Sequence, residues 1–95
     1  PKELQGQIPE NYAAKLQWRH DSNFYSVTNN SPLYMNFSQI KINGKNVSGI
    51  WFAAPFSTLK IPAKDVLSSA RNKEITWSVI NDYGMAGKKY SAIIQ

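Results

Sequence analysis

Hydrophobic and polar positions alternate along most of the chain with a period of two, which is the pattern of half-buried β-strands. This alternation, with the Gly, Pro and Asn residues that interrupt it, predicts strands at residues 15–19, 24–29, 33–42, 49–54, 56–61, 74–80 and 89–95. About one turn of helix is predicted at 9–15, and residues 63–72 are predicted to be a connection that could include a short helix. About seven short strands in fewer than 100 residues predict an all-β antiparallel sandwich, with an SH3-like or OB barrel as the alternative.

The apolar phase switches within the third predicted strand. Its apolar residues occupy odd positions and then even ones: Leu33, Met35, Phe37, Ile40 and Ile42. One extra residue near Ser38 and Gln39 would reverse the facing of every residue after it. We therefore predict a β-bulge at that point, followed by a tight turn at Asn43-Gly44.

The strand at 74–80 ends in an irregular way. Ile75, Trp77 and Val79 share one face, whereas Ile80 falls on the polar face and Asp82 follows on that same face. One interpretation is a small apolar contact surface with a charged anchor. The other is that Asp82 caps the turn through nearby backbone N–H groups, as Asp often does. The pattern alone leaves both interpretations open.

The length, net charge and hydropathy of the chain limit the class of protein to which it can belong. The length of 95 residues predicts one domain, spanning residues 1–95. The net charge is +5, but the Lys and Arg residues are scattered singly or in pairs, which is more typical of a solubility feature than of a binding site. No stretch approaches 18 apolar residues, so we expect no membrane insertion.

The residues offer little to catalysis or to metal binding. His20 is the single histidine and lies in a turn-like HDSN cluster, which is typical of a surface residue. There is no cysteine, and the six carboxylates are dispersed. We predict no enzyme, no metal site and no cofactor. Three Asn-x-Ser matches are interpreted as coincidence: Asn29, Asn36 and Asn46.

Two other classes of binding module stay open at this point. A basic nucleic-acid-binding barrel would use alternating aromatics and lysines, but these aromatics equally fit a sandwich core and no RNP-type run is present. A stand-alone adhesive or carbohydrate-binding sandwich would need a concave aromatic site formed by Trp18, Trp51 or Trp77.

Several segments, taken together, resemble a known family. INDYG at 80–84, preceded by ITWSV, resembles the motif near the end of the second domain of the PapD-like periplasmic pilus chaperones. Other segments occur in the same order along nearly the whole chain: KLQW, VTNNSPLYMNFS, INGK and APFSTL. The resemblance implies an immunoglobulin-like fold for the predicted sandwich.

The resemblance also implies a function. Members of this family are two-domain chaperones of the chaperone–usher pathway in the bacterial periplasm. They bind pilin subunits, complete them by strand addition and deliver them to an outer-membrane usher. Nucleic acid is not among the implied partners. The donated strand belongs to the N-terminal domain, which we expect to be missing here, with Pro1 matching the proline between the domains.

Site residues follow from the INDYG match alone. By resemblance, Asp82 joins a charge network between the two domains and Ile80 lines the subunit-binding cleft. Asn81, Tyr83 and Gly84 are predicted to shape the turn. The chain lacks the disulfide that some members carry near the end of this domain.

Overall fold

The structure is a computed structural model that describes residues 12–21, 24–62, 73–81 and 83–94, and these residues form eight β-strands. In chain order the strands are β1 (Gln17–His20), β2 (Phe24–Asn29), β3 (Met35–Ile42), β4 (Lys45–Asn46), β5 (Phe52–Ala53), β6 (Ser57–Pro62), β7 (Lys73–Val79) and β8 (Tyr90–Ile94). The predicted connection at 63–72 lies outside the described residues.

The strands form two antiparallel sheets that pack face to face. One sheet has the order β1-β2-β6, and the other has the order β4-β3-β7-β8 with β5 also paired to β3. The predicted antiparallel sandwich is therefore confirmed. The described residues contain eight strands rather than about seven because the segment between β3 and β6 contributes two strands of two residues each.

A helical turn precedes β1. The N–H of Lys15 donates to the carbonyl of Tyr12 at 2.9 Å, and the N–H of Leu16 donates to the carbonyl of Ala13 at 3.4 Å. The described part of the predicted 9–15 turn is thus helical, and residues 9–11 lie outside the described residues. Ala13 and Leu16 are buried, so the turn closes over one side of the core.

The predicted bulge lies in β3. Phe37 pairs with Val79, and the next pair is Gln39 with Ser78, which leaves Ser38 as the extra residue. The bulge turns both halves of the strand toward the core. Its buried apolar residues are Met35, Phe37, Ile40 and Ile42.

Ser78 is less exposed than the alternating pattern of its strand predicts. Although it alternates with core residues on the polar side of β7, it is buried. The hydroxyl of the bulge residue Ser38 lies 2.6 Å from the Ser78 hydroxyl. The two hydroxyls satisfy each other, which allows a polar side chain to be covered at this point.

Two tryptophans join the sheets at the centre of the core. The rings of Trp18 on β1 and Trp77 on β7 lie 5.3 Å apart, and Phe37 lies 6.0 Å from Trp18. The indole N–H of Trp77 donates to the buried carbonyl of Ala13 at 2.9 Å. Within the described residues, the buried indole N–H of Trp18 has no hydrogen-bond partner.

This difference between the tryptophans predicts unequal responses to the same substitution. Trp77→Phe should cost roughly 2–4 kcal/mol, because it removes a buried hydrogen bond, leaves the Ala13 carbonyl with only the longer bond from Leu16 and opens space. Trp18→Phe should cost at least about 1 kcal/mol less, because the N–H it removes has no partner among the residues that the structure describes. Thermal unfolding followed by circular dichroism should separate the two variants by about 4–8 °C. Equal losses, or a larger loss for Trp18→Phe, would contradict this assignment.

Candidate functional site: an apolar end of the sandwich around the 80–84 turn

The first residue of the predicted site is Ile80, which directly follows the last residue of β7. Its backbone N–H donates to the carbonyl of Asn36 at 2.8 Å, and it forms an isolated antiparallel bridge with Ala86. The backbone is therefore held by the sheet on one side and by the returning chain on the other. The side chain is 38 % exposed. Ile80 thus presents apolar surface to solvent from a fixed position.

Asn81 organises the turn that follows. Its side-chain oxygen accepts from the N–H of Tyr83 at 2.9 Å and from the N–H of Met85 at 3.1 Å. Its backbone carbonyl accepts from the N–H of Gly84 at 2.9 Å. Gly84 has a φ of 76°, a left-handed conformation that most side chains disfavour. These contacts are the ones that a turn-shaping asparagine and glycine would make.

Of the two remaining motif residues, the structure describes Tyr83 but not Asp82. The side chain of Tyr83 is 88 % exposed, so its described role in the turn is that of a backbone donor. Asp82 lies outside the described residues. Its predicted contact with another domain stays a prediction.

Exposed apolar side chains gather at the end of the sandwich that carries this turn. We call the apolar end the six exposed residues Tyr34, Phe52, Phe56, Ile80, Tyr83 and Met85. They account for six of the nine large hydrophobic side chains that are exposed in the described part of the chain. Such a concentration on one surface is typical of an interaction site, whereas single exposed hydrophobics are ordinary.

Strand topology brings these residues together. The end in question is where β2 and β7 finish and where β3 and β6 begin. Phe52 pairs with Asn36, whose carbonyl binds the N–H of Ile80, and the rings of Tyr34 and Phe52 lie 6.2 Å apart. At the opposite end, the exposed hydrophobics are Phe24 and Ile93.

A groove opens beside Phe52. It has a volume of about 390 Å³ and lies between the segment around β5 and the edge of β6 that is not paired with another described strand. Apolar side chains dominate its lining, among them Ile50, Phe52, Ala53 and Leu59. The groove extends the apolar end along the side of the sandwich and offers a recess for a partner's side chain.

A buried asparagine supports the apolar end from below. The side-chain amide of Asn29 donates to the carbonyls of Leu33, Ala53 and Ala54 at 2.7–3.1 Å. Its oxygen accepts from the N–H of Ser31 at 3.1 Å and from the Ser31 hydroxyl at 2.7 Å. One side chain thereby fixes the end of β2, the β2–β3 connection and β5 relative to one another.

Sequence reasoning overlooked Asn29 in this role, although the sequence held a signal. Asn29 continues the inward phase of Tyr25 and Val27, so a polar residue occupies a core position immediately before a Ser-Pro turn. A buried amide needs partners, and a turn supplies backbone groups that lack sheet partners. Its complete burial agrees with the interpretation of its Asn-x-Ser match as coincidence.

The structure disfavours both alternative binding modules. Trp18 and Trp77 are buried, and the indole N–H of Trp51 donates to the Ser48 carbonyl at 3.0 Å rather than facing outward. Trp51 lines the groove beside Phe52, and neither Trp18 nor Trp77 is among the lining residues of that groove. In the two aromatic-rich segments, Tyr25 and Phe37 belong to the core and are not available to stack on nucleotides. Phe24 and Tyr34 are exposed but lie at opposite ends of the sandwich, so they form no continuous stacking surface with each other.

Groups associated with catalysis or metal binding stay apart. His20 stacks on Tyr25 with ring centroids 4.3 Å apart. Among the residues that the structure describes, no three His, Cys, Asp or Glu side chains are placed to hold a metal ion. In the same residues, no helix is long and apolar enough to cross a membrane.

The family of the chain follows from a comparison with protein-family models. Residues 11–91 match the model described as pili assembly chaperone PapD, C-terminal domain. The chain belongs to this family. Among its relatives, the chaperone protein caf1M of Yersinia pestis is 34 % identical over 91 residues, which cover 96 % of this chain and 34 % of caf1M. AggD of Escherichia coli is 27 % identical over 90 residues, covering 95 % of this chain and 34 % of AggD. The chain thus spans about a third of these relatives.

Solved structures of chaperones superpose on the sandwich. The crystal structure of the Escherichia coli chaperone DraB matches with a TM-score of 0.81 and 30 % identity, covering all of this chain and 42 % of DraB. The SafB chaperone of Salmonella enterica, solved in complex with the SafA pilin, matches with a TM-score of 0.82 and 27 % identity, covering 98 % of this chain and 42 % of SafB. These matches confirm the predicted immunoglobulin-like sandwich.

Adjacent substitutions in the turn distinguish a structural residue from a contact residue. Asn81→Ala should lower the stability of the chain by about 1 kcal/mol, because two backbone N–H groups lose their acceptor. Asn81→Asp keeps the acceptor and should retain most of this stability. Asp82→Ala should change stability by less than about 0.5 kcal/mol if Asp82 is a contact residue. The measurement is thermal unfolding, and a loss for Asp82→Ala equal to that of Asn81→Ala would identify Asp82 as a turn cap.

Proposed function

We propose that the chain is the C-terminal domain of a periplasmic chaperone that binds pilus subunits and delivers them to an outer-membrane usher. In this proposal, the domain has no catalytic role and needs no cofactor. It completes the subunit-binding cleft formed with an N-terminal domain that donates the strand. The observation that carries the proposal is the apolar end of this chain, which surrounds the INDYG turn. The chain belongs to the chaperone family in which that motif occurs.

The apolar end suits a partner with exposed apolar surface. A pilin that lacks one strand exposes a hydrophobic groove and an unpaired edge, both of which must be covered before assembly. Phe52 and Ile80 offer apolar contacts from sheet-anchored backbone, so little loop ordering opposes binding. The complex of the related SafB chaperone with the SafA pilin supports this assignment.

Asp82 has a second role in the proposal. As the charged residue of the turn, it would form the ion pairs that fix the angle between the two domains. Its backbone follows Asn81, whose position is set by the sheet and by the turn hydrogen bonds. An anchor of this kind sets geometry and specificity more than raw affinity.

Substitutions at the apolar end test the proposal in a full-length chaperone that contains this domain. Phe52→Ser combined with Ile80→Ser should weaken binding of a pilin subunit by about tenfold or more, because central apolar contacts carry much of the energy of an interface. Subunit binding is measured by isothermal titration, and protection of the subunit by light scattering. Both residues are at least 38 % exposed, so folding should be preserved.

Ile93→Ser is the matched control. Ile93 is 70 % exposed but lies at the opposite end of the sandwich, so its loss should leave subunit binding within about twofold. Equal binding by the double variant and the wild-type chaperone would reject the apolar end as the subunit-facing surface. Equal weakening by Ile93→Ser would show that the effect does not depend on this end.

A further inference from the structure

A second surface of different chemistry lies on the outward face of the β1-β2-β6 sheet. Arg19 on β1 pairs in register with Ser26 on β2, and Ser26 pairs with Lys60 on β6. These residues alternate with the core positions of their strands, so they share the outer face. Since neighbouring strands lie about 4.8 Å apart, the backbones of the two cationic residues are about 10 Å apart, with a small hydroxyl residue between them.

The adjoining row keeps this face flat and polar. Gln17, Thr28 and Thr58 align in register across the same strands. The hydroxyls of Thr28 and Thr58 lie 3.0 Å apart and pair with each other. Short side chains in the middle of the face allow a partner to approach closely, and the long side chains of Arg19 and Lys60 flank the approach. We call these two rows the cationic face.

Both cations on this face are available to a partner. Arg19 and Lys60 are exposed, and within the described residues neither forms an ion pair with a carboxylate. The Lys60 ammonium lies 5.4 Å from the centre of the Phe24 ring, a contact that limits its rotamers without neutralising it. The acid nearest to Arg19 along the chain is Asp21, which accepts from the N–H of Phe24 at 2.8 Å.

We propose that the cationic face docks an acidic protein surface that presents two carboxylates about 10 Å apart. Charge complementarity identifies this partner, because the chain carries 11 Lys or Arg against six Asp or Glu, and the two described rows of this face contain two cations and no carboxylate. A single-stranded nucleic acid would need an open aromatic platform, whereas Phe24 is covered by Lys60. A membrane would need several protruding apolar groups, whereas the large exposed hydrophobic beside these rows in the described part of the sheet is Phe24 alone, which Lys60 overlies. Arg19 and Lys60 lie outside the apolar end, whereas Thr58 of the cationic face also lines the groove beside Phe52.

A designed acidic peptide tests the proposal on the 95-residue chain. The probe is an alanine-rich helix with two Glu residues seven positions apart, which places them about 10.5 Å apart along the helix axis. Titrated into the ¹⁵N-labelled chain at low salt, it should shift the amide signals of Arg19, Ser26, Lys60 and their neighbours. Its affinity should fall about fivefold or more between 20 and 200 mM salt, because exposed charges are screened. The same peptide with Gln in place of Glu should give no shifts.

Two double variants of equal charge separate a specific face from net charge. Arg19→Gln with Lys60→Gln should weaken peptide binding about fivefold or more. Lys88→Gln with Lys89→Gln removes the same charge and should leave affinity within about twofold. It is matched to the first variant because Lys88 lies over the Tyr90 ring at 5.8 Å, as Lys60 lies over Phe24. Circular dichroism verifies that both variants fold.

Three outcomes would overturn the proposal. The first is equal weakening by both double variants, which would reduce the effect to net charge. The second is the absence of shifts, or shifts spread over all lysine-bearing strands. The third is binding to phosphatidylglycerol vesicles, lost in Arg19→Gln/Lys60→Gln, without binding to the peptide, which would assign the face to a membrane.

Discussion

The β-bulge at Ser38 is the constraint on which the rest of the structure depends. β3 is the strand that pairs with β4, β5 and β7, and its apolar residues occupy two opposite phases. Without an extra residue, one half of the strand would turn its apolar side chains to solvent. The bulge removes this conflict, and its serine hydroxyl pairs with Ser78, the polar residue that it covers.

The bulge also fixes the geometry of the apolar end. Phe37 pairs with Val79 on the N-terminal side of the bulge in β3, and the carbonyl of the preceding residue, Asn36, accepts from the N–H of Ile80. Asn36 in turn pairs with Phe52, so one residue of β3 joins the INDYG turn to β5. The apolar end is therefore a product of sheet register, with Asn29 holding the connections beneath it. The cationic face lies on the other sheet and shares none of these residues.

The local pattern of apolar and polar residues predicted more of the fold than of the candidate functional site. Three features could be predicted from the sequence because each depends on a few neighbouring residues: the bulge, the Asn43-Gly44 turn and the inward-facing positions of the strands. The position of Ile80 on the polar side of its strand was readable for the same reason. The gathering of Tyr34, Phe52 and Phe56 around it was not, because it depends on pairing between distant segments. The contacts of Asn29 with the Ala53 and Ala54 carbonyls could not be predicted for the same reason, whereas its contacts within the β2–β3 connection are local and had a signal in the sequence.

The account holds that the apolar end is covered by partners while the opposite end remains in solvent. Hydroxyl-radical footprinting tests this directly, because aromatic and methionine side chains are readily oxidised. The comparison is between the 95-residue chain alone and a full-length chaperone, containing this domain, bound to a pilin subunit. The account predicts that labelling of Tyr34, Phe52 and Met85 falls about fivefold or more in the complex, while Phe24 changes little. Undiminished labelling of the apolar end in the complex would contradict it.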